Sequence, residues 1–187
     1  MSQSVQVDRA ALVRRALVEL VAEHGFHGAS MAAVAERAGV ATGTAYVHYS
    51  SKDELVLAAY IEVKRALGTA GHAAIDRSAA PRDLFRRIWH AMHGFLAADP
   101  VQARFLVQVQ VSPYATAAHD AAREADDLLR SPELEELVSQ LVGLPATVLY
   151  DLSLGPAVRV AASEDLQLTE ADLEELASAC WRAVSRS

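Results

Sequence analysis

The sequence predicts an all-α fold, and three observations carry that prediction. Alanine and leucine dominate a chain that is 52% hydrophobic, enough to fill a core. Only nine glycines and six prolines interrupt 187 residues. Apolar residues recur every three or four positions, and no alternating strand pattern is sustained. The spacing of breakers divides the chain into a three-helix unit over residues 1–55 and a larger helical unit over residues 56–187.

The first helix is expected over residues 8–24, with Val13, Ala16, Leu17, Leu20 and Val21 on one face and Gly25 ending it. Ser30 is a suitable N-cap, since its hydroxyl can accept from a free backbone N–H one turn in. Met31, Val34, Ala35 and Ala38 follow at helical spacing, and Gly39 supplies the left-handed residue that ends such a helix. Val40 is apolar and plugs the turn into a small core. A second short helix is expected over residues 41–49. Ser50 and Ser51 stop it, and one of them caps a long helix beginning at Lys52. Two short helices around a glycine-containing turn form a helix-turn-helix.

The second short helix carries the chemistry. Thr44, Tyr46 and His48 place hydroxyl and imidazole donors close together, suited to phosphate oxygens. Thr42 stands at the helix start, where a side chain reaches a base edge or a thymine methyl. Gly43 lets the backbone approach a duplex closely. Lys52 would add a point charge to a phosphate. Taken singly, Tyr46 and Tyr49 also fit core aromatics, and Thr42 and Thr44 fit solvated positions.

Gly25-Phe26, Ser30, Val34, Ala35, Gly39-Val40, Gly43-Thr44, Tyr46, His48-Tyr49, Ser51-Lys52 and Glu54-Leu55 together resemble the DNA-binding domain of the TetR family of bacterial transcriptional repressors. The match covers residues 9–56. The resemblance implies a DNA face of Ser30, Met31, Thr42, Gly43, Thr44, Tyr46, Val47, His48 and Lys52. It also implies a homodimer on double-stranded DNA with a palindromic operator, and a C-terminal ligand-binding and dimerisation domain whose small-molecule effector releases the DNA. Three departures stand out. Ala41 replaces a capping Ser, Ala45 replaces a Leu, and Met31, Ala32 and Thr42 stand where relatives carry polar or basic groups. DNA shape and phosphate contacts would then take a larger share of recognition.

Beyond Lys52 the helices follow their breakers: residues 52–74, 81–98 opened by Pro81, and 100–111 opened by Pro100. Residues 116–129 and 132–141 form one kinked helix or two shorter ones. Residues 145–162 are helical with a kink at Gly155-Pro156. Trp89, Met92, His93, Phe105, Tyr114 and Tyr150 mix apolar bulk with polar tips, which suits a mostly apolar or aromatic ligand, although each also fits plain core. Thr169-Glu170-Ala171-Asp172 resembles a capping box. Leu173, Leu176, Ala177, Cys180, Trp181 and Val184 then form a wide apolar stripe. With Val148 and Leu152 it is the expected dimer surface, though such a stripe also serves to cover a monomer core. Two reading helices on adjacent grooves must stand about 34–36 Å apart.

Charge and composition narrow the function. The net charge is −7, unusual for a DNA binder, but residues 1–55 carry five basic and six acidic side chains while residues 56–187 hold twelve and eighteen. Arg9, Arg14 and Arg15 are available for phosphates or for plain helix solvation, and a clear salt dependence is expected. No apolar run reaches the roughly 18–20 residues of a membrane helix, and the start lacks a basic-then-apolar pattern, so no signal peptide is expected. Cys180 is the single cysteine, so a cytoplasmic protein in a reducing compartment is expected. No enzyme is expected. His90 and His93 form an HxxH without further ligands, no GxSxG elbow orders a nucleophile, and no Gly-rich phosphate loop exists, so neither metal nor cofactor is assigned. The alternative class is a helical protein-interaction module with a degenerate DNA face.

Overall fold

The computed structural model describes residues 8–125 and 131–186. Among them the regular elements are helical, and the one β-bridge joins Leu141 to Ser185. Helix α1 (Arg9–Gly28) is capped by Asp8, whose carboxylate accepts from the Ala10 and Ala11 N–H groups. It does not end at Gly25. The chain kinks there, with Gly25 at φ +69°, and one further turn carries Phe26. Helices α2 (Met31–Arg37) and α3 (Thr42–His48) pack against the buried Val13, Leu17, Leu20 and Val21 face of α1.

Helix α4 (Lys52–Ala73) is capped by Ser51 and has Asp53 and Glu54 in its first turn, where carboxylates favour the helix dipole. Its buried Leu55, Val56, Ala59, Tyr60, Val63 and Leu67 run from the α1–α3 unit into the rest of the molecule. Helices α5 (Pro81–Ala98) and α6 (Pro100–Gln110) both begin on proline, whose missing N–H costs nothing in a first turn.

Helix α1 lies along α6 and is fixed near both ends. Close to the start of α6, Arg15 Nη1 donates to Asp99 Oδ2 at 2.7 Å. Just past its end, the Tyr114 ring packs on Phe26 with centroids 4.9 Å apart, and the Tyr114 hydroxyl donates to Asp53 Oδ1 at 2.9 Å. Phe105 is wholly buried in the core beneath.

Helix α7 (Ala115–Ala125) follows. The expected helix over 116–129 extends into residues 126–130, which lie outside the described residues. The segment 132–141 is a 3₁₀ turn (Pro132–Leu134) and a short α8 (Glu135–Ser139) rather than one helix. The expected helix over 145–162 is divided into α9 (Ala146–Ser153) and α10 (Gly155–Ala162), because Pro156 has no N–H to continue the ladder. The last helix, α11 (Glu170–Val184), opens with a capping box. The Thr169 hydroxyl accepts from the Asp172 N–H, and the Asp172 carboxylate accepts from the Thr169 N–H at 3.0 Å. One contiguous hydrophobic core links all these helices.

Candidate nucleic-acid interface and ligand cavity

The α2–α3 turn is built by local rules. Gly39 adopts φ +67°, its N–H donates to Glu36 O at 3.1 Å, and the Val40 N–H donates to Ala35 O at 2.9 Å. This is a Schellman closure, and Val40 packs on the core beneath it. Ala45 is wholly buried and Tyr49 nearly so, which anchors α3 on its inner side. The Tyr49 hydroxyl accepts from Arg14 Nη1 at 2.6 Å. The outer side is open: Thr42, Gly43 and His48 are exposed, Tyr46 is 52% and Val47 82% exposed, and Thr44 is half-buried. Ser30 is exposed, but its hydroxyl caps α2 through the Ala33 N–H.

Two residues of the expected face stand apart from the exposed set. Met31 is buried on the inner side of α2, with exposed Ala32 next to it, so its side chain offers little surface to a duplex. Lys52 is half-buried. Its ammonium donates to the Phe26 carbonyl and sits over the Phe26 ring, and burial pushes its pKa down. The nearby guanidinium groups are similarly occupied. Arg14 pairs with Glu62, Arg15 with Glu19 and Asp99, and Arg37 makes two hydrogen bonds to Glu23. Cations that the sequence offers to phosphates therefore hold the helices together.

A cavity of about 250 Å³ opens among the central helices. Helix α4 contributes Lys64, Leu67 and Gly68, and α5 contributes Phe85, Ile88, Trp89 and Met92. From α7 come His119, Asp120, Ala122 and Arg123. Leu134, Leu137 and Leu141, residues of α9 including Tyr150, and Val184 complete the lining.

Of the six expected pocket residues, Trp89, Met92 and Tyr150 line it. Phe105 is consumed by the core, and Tyr114 is drawn away onto Phe26. His93 stacks flat on Trp89 at 5.5 Å, and burial followed by the neighbouring His90 lowers its pKa, favouring neutral imidazole. Lys64 was legible but missed. It shares one face of α4 with Tyr60, Leu67 and Gly68 at helical spacing, a charge inside an apolar stripe. His90 faces Glu174 at 3.1 Å, and among the described residues no group of three or more His, Cys, Asp or Glu side chains gathers around a metal-sized space.

On the opposite side of α9, Val148 and Leu152 are each 38% exposed, with Leu144 beside them. Leu173 and Leu176 of α11 are half-buried. The rest of the expected stripe turns inward: Ala177, Cys180 and Val184 are buried within the chain's own core, and Trp181 packs on Phe85 at 5.4 Å. The α11 stripe is wide enough to serve the monomer core first, which removes these three from any surface. Among the described residues no helix is long and apolar enough to cross a membrane.

Known proteins match along nearly the whole chain. The family model described as "Bacterial regulatory proteins, tetR family" matches residues 13–59. A second model, "Tetracyclin repressor-like, C-terminal domain", matches residues 82–185. An uncharacterised HTH-type transcriptional regulator of Haemophilus influenzae is 24% identical over 98% of this chain and 100% of its own. The crystal structure of a TetR-family transcriptional regulator from Haemophilus influenzae superposes with a TM-score of 0.77 at 24% identity, covering 98% of this chain and 100% of that one. A TetR-family regulator structure from a Shewanella species gives 0.77 at 22% identity, covering 96% and 99%.

Proposed function

Because the chain belongs to the TetR family of DNA-binding transcriptional regulators, we propose that it is a ligand-responsive repressor acting as a homodimer in the cytoplasm. The observation that carries this reading is the pairing of two features in one core. An exposed α3 presents Thr42, Gly43, Tyr46, Val47 and His48, with Thr44 beside them, and a cavity lies among α4, α5, α7 and α9. The operator is a palindrome in double-stranded DNA, each half read by one α3. Residues 1–55 serve as the DNA-binding domain and residues 56–187 bind the effector and the second subunit. The effector is a small, mostly apolar molecule. It shifts the dimer between two spacings of α3 only to the extent that it binds them with different affinity. Release of the operator then derepresses a neighbouring gene. The relatives are named as transcriptional regulators, and the chain is a regulator rather than an enzyme.

Selection from a random duplex library tests the reading. An enriched palindrome, bound more weakly by Thr44→Ala combined with Tyr46→Phe, is the expected result. No enrichment at low salt would overturn it.

A further inference from the structure

Helix α3 lacks the side chains that most often identify a base. Arg and Lys read guanine by paired hydrogen bonds, Asn and Gln read adenine, and Asp and Glu accept from cytosine. The α3 sequence, TGTAYVH, contains none of the six. Thr42, Thr44, Tyr46 and His48 can each make single hydrogen bonds, which a phosphate accepts as readily as a base does. What α3 does present is Val47. It is 82% exposed, the greatest exposure of any large apolar side chain among the described residues. Gly43 stands one helical turn before it on the same face. Glycine weakens a helix relative to alanine, yet the fold does not call for one here. Its φ is not positive, and a Cβ at Gly43 would meet no atom within 4 Å. Val47 and the bare Gly43 therefore form an apolar step with open room beside it.

The base edges of the major groove carry one apolar group, the C5 methyl of thymine. We propose that Val47 selects a thymine in each operator half-site by packing on that methyl, with Gly43 leaving room for the base to come close. Val47 is then a specificity-determining residue, and the hydrogen-bonding side chains of α3 hold the register on phosphates. This assignment rests on the DNA-binding reading above and names the base feature that is read. Burying one methyl group is worth about fourfold in affinity, and about fifteenfold over two half-sites.

The test uses the full chain and the operator enriched in the duplex selection. Each thymine of a half-site is replaced in turn by deoxyuridine, symmetrically in both halves, which removes the C5 methyl and leaves every hydrogen-bonding group in place. At one thymine position, affinity is expected to fall about fifteenfold. Val47→Ala should melt with the wild type, because the side chain is already exposed. It should bind the thymine operator about as weakly as the wild type binds the deoxyuridine one, and respond little to deoxyuridine at that position. The wild type should also bind 5-methylcytosine there better than cytosine, a preference that Val47→Ala loses. No methyl-dependent position, a methyl effect undiminished in Val47→Ala, or unchanged operator affinity of Val47→Ala would each overturn the assignment. An operator without methyl dependence sinks only this reading of Val47. Failure to enrich any operator sinks the regulator reading and this one with it.

Discussion

Gly39 shows how much one residue can specify. At φ +67° a Cβ would meet no atom within 4 Å, so a side chain there costs only backbone strain. Gly39→Ala should therefore lower stability by about 1–2 kcal/mol in urea melts, with Gly39→Asn milder. The turn was legible in the sequence because a helix cap and a left-handed glycine are rules among near neighbours. Lys52 was not, because the carbonyl that captures it belongs to Phe26, and only tertiary folding brings the two together. The same holds for Arg14, Arg15 and Arg37. With these cations occupied, few remain to displace counterions. A plot of log affinity against log salt should have a slope no steeper than about −2 to −3 per subunit, shallower than the composition alone suggests. A much steeper slope would mean that the ion pairs open on DNA.

At the scale of an element, α11 was foreseen as a helix but not as a face. Its capping box and apolar period lie in the local sequence, whereas the side it presents depends on α5 and α9. Arg86 and His90 of α5 both pair with Glu174 of α11. The Arg86 guanidinium beside it is the chief cause holding the Glu174 carboxyl below its ordinary 4.5. A carboxylate whose folded pKa is depressed contributes its full stability above the unfolded value and loses it as pH falls through the folded one. The Glu174 carboxylate's share of the α5–α11 contact should thus be complete above about pH 5 and be lost as pH falls below 4.5. Glu174→Gln should flatten the acid limb of a stability–pH profile, and an unchanged limb would assign that limb to other carboxylates. The cavity was only half legible for a related reason. Aromatic residues are easy to nominate, but Phe105 and Tyr114 found partners in other helices.

For the whole molecule, Val148 and Leu152 are among the large apolar side chains left exposed after the core is filled, and they carry the proposed dimer surface. Replacing both with Glu should leave the melting temperature of the subunit near wild type, since both side chains are already substantially exposed. Sedimentation should then show monomers, and operator affinity should fall by at least tenfold because one α3 reads only half a palindrome. A dimer that persists would place the two-fold axis elsewhere.

The attachments of α1 along α6, at Arg15–Asp99 and at Tyr114 on Phe26 and Asp53, have a mechanical meaning. They tie the α1–α4 end of the reading head to both ends of α6, so a displacement there is passed on to α1 rather than absorbed between the helices. The Tyr114 corner opens directly into α7, one wall of the cavity. In the proposed dimer, a shift of α7 would therefore reach both α3 helices through that corner.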